Sequence, residues 1–310
     1  MKLNKLLAMM FVAGGLLVGC QNGTEESTVE EPTTNEEVTA NEEVQEDVEE
    51  VRVVAATVSA TNVLGELNAE VIGIPTTQNP IPEQFLGLPE VGIAHSPDLE
   101  VVASLEPDLF IIDSQFREAH EETLNELGIN TFFFESGTYE SFVESIAGIG
   151  AAIHREAEAA AIISNLENAI ETAIENKGDE SPTVAIIFGA GDSFMLATET
   201  SYVGGLARIM GATNIAAELE GGLQAPFLQF SIEQILVSNP DYILRFTHGN
   251  IEQTEAMFNE MFDQNPAFQQ LTAVQNDQII DLDFSVFGTA ANLRAPEAFE
   301  TLGQIFYGNN

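Results

Sequence analysis

The sequence predicts an α/β protein in which two similar lobes are joined by one long helix. Three observations carry that expectation. Beyond residue 50, short apolar runs alternate with helical patterns, as in lobes built on largely parallel sheets. The stretch His154 to Asn176, HREAEAAAIISNLENAIETAIEN, has helical periodicity, strong helix formers and no breaker. A helix–turn–strand pattern occurs once on each side of it: EVVASLEPDLFI from Glu100 recurs as EQILVSNPDYIL from Glu233. In each copy a proline ends the helix and the following aspartate opens a strand. Two generic turns that merely look alike are the alternative reading.

Taken in order, strands are expected at 51–56 (VRVVAA), 71–74 (VIGI), 108–112 (DLFII) and 131–134 (TFFF). Helices fit between them at 59–68, 98–105, 117–127 and 139–152, the second capped by Asp98. The long helix ends at Lys177-Gly178. Strands then follow at 183–188, 194–198, 241–246 and 277–282, with helices at 202–211, 231–238, 252–263 and 295–307. This divides the chain into an N-terminal lobe over 51–152, a connecting helix over 153–178 and a C-terminal lobe over 179–310.

The first 50 residues read differently. A basic start, Met1 to Lys5, precedes an apolar run from Leu6 to Val18 that is too short for an ordinary membrane span. It reads as a signal peptide over 1–19. The run closes on LVGC, a bacterial lipobox, so Cys20 is the expected lipidation site, with the mature chain anchored on the outer face of the cell membrane. Cys20 is the chain's one cysteine, which rules out an internal disulfide. Residues 21–50 are mostly Glu, Thr, Val and Asn with no Lys, Arg or aromatic side chain, the composition of a solvated tether. Across the chain 9 basic residues face 50 acidic ones, which argues against nucleic acid and against docking on anionic lipid.

Chemistry-bearing residues are few. The chain has four histidines. His95 lies in the loop GIAHSPD before one copy of the repeat, and His248 ends the apolar strand ILRFTHGN after the other. Each lobe thus offers one loop histidine. Solvent-exposed loop residues are one reading, and a pair of ligands facing a cleft is the other. Strand alternation puts Phe246 on the face of His248. His120 and His154 fall on helices with charged neighbours and read as surface. Met195, Met210, Met257 and Met261 fit core positions. No nucleophile elbow, zinc-protease helix, phosphate loop or paired-cysteine site is present, so no catalytic role is expected.

Several stretches together resemble one family. VVAATVSATNVLGEL, SPDLEVVASLEPD, ATETSYVGGLARIMGATN, NPDYILRFTHGN and VFGTAANLRAPEAFETLGQIFY are similar to the haem-receptor lipoproteins of Gram-positive iron-regulated surface-determinant uptake systems. Those receptors belong to the class III substrate-binding proteins of ATP-driven importers, a cluster that takes siderophores, haem or vitamin B12. The resemblance implies a non-enzymatic, monomeric receptor that binds haem between its lobes. It would pass the haem to a permease dimer with its ATPase, and upstream haem-donor surface proteins could supply it. In the family one iron ligand is the histidine of Arg-x-x-His-Gly, here His248. The other is a methionine whose place His95 takes, so a bis-histidine site is implied.

The family's propionate contacts fall on Thr57, Val58, Ser59 and Ala60, residues that would equally serve as a plain helix cap. Phe246 and Phe287 would cover the macrocycle. Glu100 and Glu233 match the two acids that dock on permease arginines, although first-turn acids are also favoured by the helix dipole. A ferric siderophore receptor is the nearest alternative, disfavoured by the lack of Trp and scarcity of Arg. A lipid-anchored enzyme is the third reading.

Overall fold

The computed structural model describes residues 50–308 apart from 176, 192, 249 and 250. The expected signal peptide, Cys20 and nearly all of the tether lie outside the described residues.

The N-terminal part runs β1 (Arg52–Ala55), α1 (Val58–Glu66), β2 (Glu70–Gly73), β3 (Gly92–Ile93), β4 (Ser96–Pro97), α2 (Leu99–Ser104), β5 (Leu109–Asp113), α3 (Arg117–Glu126), β6 (Thr131–Phe134) and α4 (Tyr139–Ala152). Helix α5 (Glu156–Glu175) follows. The remainder runs β7 (Thr183–Ala190), β8 (Ser193–Ala197), α6 (Tyr202–Ile209), β9 (Thr213–Asn214), β10 (Phe227–Gln229), α7 (Ile232–Ser238), β11 (Tyr242–His248), α8 (Ile251–Gln264), α9 (Thr272–Gln275), β12 (Ile279–Asp281) and α10 (Ala295–Tyr307).

Two sheets flank α5 in sequence. The first has the order β2-β1-β5-β6 and is parallel throughout. The second has the order β10-β8-β7-β11-β12, with β9 beside the start of β7. Its β7, β11 and β12 are parallel, while β8 folds back antiparallel to β7 and β10 is antiparallel to β8. The tight return into β8 is made at Gly191, whose φ of +61° suits a residue without Cβ. Gly189 has a different role. A Cβ there would lie 2.5 Å from Thr254 Cγ2 and 3.0 Å from the Phe258 ring, so α8 packs directly on β7.

Strand alternation divides the apolar side chains into three clusters. Val53, Leu109 and Ile111 from the first sheet share one core with Val184, Ile186, Leu244 and Phe246 from the second, with Leu166 and Ile170 of α5 and with Phe299 and Leu302 of α10. The outer faces are covered separately, Val54, Phe110 and Ile112 on one side and Ala185, Ile187 and Ile243 on the other. Both sheets are therefore packed on both faces, which is why their strands read as unbroken apolar runs.

The repeat has a structural explanation that a turn alone does not give. Asp108 accepts from the backbone N–H of Arg52, the first residue of β1, at 2.9 Å. Asp241 does the same for Thr183, the first residue of β7, at 2.8 Å, and also accepts from its hydroxyl. Each aspartate thus holds the start of the neighbouring parallel strand. The residue before each proline is left-handed, Glu106 at φ +49° and Asn239 at φ +42°. The two units match in conformation as well as in letters.

One expectation is corrected. The helical stretch from His154 begins two residues later, because His154 is left-handed (φ +57°) in the turn between α4 and α5 and does not lie on a helix. Its side chain is exposed, as expected of a surface residue.

Where the N-terminal part meets the C-terminal part, Glu140 of α4 pairs with Arg208 of α6 at 3.0 Å. Tyr139 sits edge-on to Phe299, and the hydroxyls of Tyr139 and Tyr202 are buried without a hydrogen-bond partner. Burial, with the Glu167 and Glu140 carboxylates adding to it, pushes Tyr139 up to about 12. Burial raises Tyr202 as well. The folded protein therefore keeps both phenols protonated where the unfolded chain, with tyrosines near their ordinary 10.0, releases protons. Stability from these groups is complete below pH 10 and falls as pH rises toward 12. Replacing both by phenylalanine is expected to raise stability at neutral pH by about 1 kcal/mol, since a buried hydroxyl without a partner is costly. It is also expected to flatten the alkaline loss. Urea unfolding of parent and variant from neutral pH to about pH 11 checks both effects.

Candidate functional site

Ligands of open parallel sheets bind beyond the carboxyl ends of the strands. In this protein those ends are brought together by the chain after β12. Ala291 donates its N–H to the carbonyl of Ser136, just past β6, at 2.7 Å. Its own carbonyl accepts from the Ser59 hydroxyl at the start of α1, at 2.9 Å. Nearer β12, the ring of Phe284 lies 4.8 Å from that of His248, the last residue of β11. Residues 284–291 thus reach from the end of a strand in one sheet to the helix that follows a strand in the other.

His248 is exposed, on a strand paired along its whole length with β7, up to Ala190 opposite the histidine. Three residues earlier the side chain points the other way. Arg245 is 6% exposed and forks onto Asp281 of β12, Nε to Oδ1 at 2.7 Å and Nη2 to Oδ2 at 2.6 Å. It also donates to Asn259 of α8 at 3.2 Å and lies over the rings of Phe258 and Phe262. The arginine of the Arg-x-x-His pattern is therefore a fastener. It fixes β11 to β12 and α8, and so fixes the backbone that presents His248.

His95 sits on the opposite kind of support. It occupies the tip of the short β3–β4 hairpin and is exposed, two positions from Ile93, an apolar side chain 44% exposed. The hairpin is anchored at its base, where Asp98 N–H donates to Val91 and Thr76 N–H to Gly92. Gly92 has φ +90°, and a Cβ there would press on the backbone of Ser96, Pro97 and Asp98. At the tip His120 Nε2 lies 3.4 Å from the His95 carbonyl. His120, expected to be a surface residue, is half-buried beside the hairpin.

The start of α1 is more committed than the sequence implies. Thr57 caps the helix, accepting from Ala60 N–H at 3.3 Å, and Ala60 is fully buried. Ser59 is engaged with Ala291. The positions that face outward are Val58 and Ser59, both partly exposed, where first-turn N–H groups have no intrahelical acceptor.

The two aromatic positions expected to cover a ligand are both inside the protein. Phe246 shares the face of His248, as strand alternation requires, but it is 1% exposed and stacks on Phe188 at 4.9 Å. Phe287 is likewise 1% exposed in the shared core. The aromatic ring that borders His248 is Phe284, which sequence reasoning missed. The signal available was slight: a phenylalanine in DLDFSVFG, where Phe287 lay in a more specific pattern. Met257 departs from its expected core position, whereas Met261 packs against the outer core of the second sheet. With Phe194, Glu260, Asn265 and Pro266, both methionines also border an open groove beside α8.

Glu100 and Glu233 occupy equivalent places. Each is exposed and second in its helix, behind the cap Asp98 of α2 or Ser231 of α7. Each helix runs directly into the strand that follows it, so both glutamates stand at the strand-end side of their sheets.

Among the described residues no group of three or more His, Cys, Asp or Glu side chains could hold a bare metal ion. No described helix is long and apolar enough to cross a membrane.

Two α/β lobes about one long helix, with outward-facing side chains at the strand ends, make a class III solute-binding architecture. The family model for periplasmic binding proteins matches residues 53–286, and the chain belongs to that family. Its task is binding for transport. The chain is similar to the high-affinity heme uptake system protein IsdE of Staphylococcus aureus strain MRSA252, with 27% identity over 310 residues and 99% of each chain covered. A solved structure of S. aureus IsdE complexed with heme matches with a TM-score of 0.75 and 29% identity, covering 83% of this chain and 99% of that one. An ABC transporter substrate-binding protein from Listeria monocytogenes EGD-e matches with a TM-score of 0.76 and 29% identity, covering 84% and 100%.

The Arg245 fastener gives an asymmetric prediction. Asp281→Ala leaves a buried guanidinium without its carboxylate and is expected to cost about 3 kcal/mol. Arg245→Met leaves an apolar side chain against Phe258 and Phe262 and a half-exposed carboxylate, so about 1 kcal/mol is expected. Urea denaturation of the two variants beside the parent measures the difference.

Proposed function

We propose that this protein is a lipid-anchored receptor on the outer face of the cell membrane that binds haem and hands it to an ABC permease. The observation that carries the reading is His248, an exposed imidazole on a strand locked by Arg245 and bordered by Phe284, in a chain 29% identical to a receptor complexed with heme. The porphyrin supplies iron with four of its donors, so the protein need offer only two, one on each side. That requirement is compatible with the lack of a larger ligand cluster among the described residues. His95 is the second donor. Ile93 and Phe284 supply apolar surface beside the two imidazoles, and the first-turn N–H groups of Val58 and Ser59 suit a propionate.

Two imidazoles favour ferric haem and a lower potential than a methionine–histidine pair. His248→Ala is expected to weaken haem binding by about 100-fold or more. His95→Met is expected to retain haem with a changed spectrum and a raised potential, and His95→Ala to leave the sixth position open. Titration with haemin, with spectra of ferric and ferrous forms, checks all three. A parent that binds no haem would give the site to another iron chelate, a ferric siderophore first.

Glu100 and Glu233 dock on arginines of the two permease subunits. Glu100→Arg with Glu233→Arg is expected to leave haem affinity nearly unchanged and to abolish uptake, because reversal replaces a charge-assisted pair by repulsion. Cellular iron uptake from haem by the double variant is the measurement, and normal uptake would remove this role.

A further inference from the structure

Ser59 makes a contact that neither a helix cap nor a ligand site accounts for. Its hydroxyl reaches 232 positions along the chain to the carbonyl of Ala291. Ala291 is fully buried, and its N–H is held by Ser136. Ser136 is itself tied down, its hydroxyl donating to Asp113 at 2.7 Å, while the other oxygen of Asp113 accepts from Gln115 N–H at 3.0 Å. The N–H and the carbonyl of Ala291 are thus both held by the first lobe.

The strap that ends there is stiff. Asp283 accepts from both the N–H and the hydroxyl of Ser285, and the Phe287 N–H donates to the Asp283 carbonyl at 2.8 Å. Arg294 donates to the Ser285 hydroxyl and forks onto Glu297. Val286 and Phe287 are sunk in the core. Phe284, on this strap, holds its ring 4.8 Å from the imidazole of His248.

We infer that Ser59 is a positioning residue for His248: its hydroxyl sets the strap, and the strap sets the Phe284 ring against the imidazole. A side chain of one lobe thereby orients the proposed iron donor of the other. The consequence for haem rests on the proposed function, whereas the coupling between Ser59 and His248 does not.

The test is proton NMR of the histidine rings in the full chain without ligand, with assignments from single His substitutions. The Phe284 ring current shifts the His248 ring protons, and Phe284→Ala identifies that shift. Ser59→Ala is expected to move the His248 signals in the same direction while those of His95 stay in place, and Ser59→Thr, which keeps the hydroxyl, is expected to restore them. A role limited to stability would move all four histidines or none. His248 signals that respond to Phe284→Ala and not to Ser59→Ala overturn the inference, and so do signals that respond to neither. If Ser59→Ala fails to fold, Ser59→Cys replaces it, with the same outcomes. With haemin as probe, Ser59→Ala is also expected to release haem about fivefold faster, the scale of one lost hydrogen bond. A parent that binds no haemin would end the haem reading and leave the ring-proton result to decide the coupling.

Discussion

Two sheets that share one core constrain everything else in this protein. Alternate residues of β1, β5, β7 and β11 turn inward to the same cluster, together with α5 and α10, and the intervening residues are covered by outer helices. The faces of these four strands are thereby covered, and the exposed side chains of the candidate site lie at the strand ends and in the loops beyond them. His95, His248, the start of α1 and the Phe284 strap all lie there.

The two ends of the site are supported in different ways. His248 ends a fully paired strand whose neighbours are fastened by a buried arginine, and a stiff strap backs its ring. His95 rides on a hairpin held at its base and touched at its tip by His120. One histidine is thus held on a rigid strand and the other on a short hairpin.

Much of this was legible in the sequence because it rests on local chemistry. The proline of each repeat unit stops a helix, and the apolar runs are long enough to be strands, so the two-lobed α/β plan follows. The aspartates of the repeat were visible, but their bond to the start of a neighbouring strand joins residues 56 and 58 positions apart. No short-range pattern signals that. The antiparallel return of β8 was not legible either, since an apolar run does not state its direction, and β3 and β4 are too short to show a period. Phe246 was placed on the correct face. Alternation gives a side chain's face but not its depth, so its burial against Phe188, and the surface role of Phe284, needed the fold. The Ser59–Ala291 contact is the extreme case, since its two residues lie near opposite ends of the described chain.

The central claim is that haem iron is held between His95 and His248. Low-temperature electron paramagnetic resonance of the ferric, haem-loaded parent tests it most directly, because axial nitrogen and sulfur donors split the low-spin signal differently. The account predicts a low-spin signal of two imidazole nitrogens that disappears when either histidine is replaced. A high-spin signal, a nitrogen–sulfur signature, or a two-nitrogen signal that survives His95→Ala would contradict it.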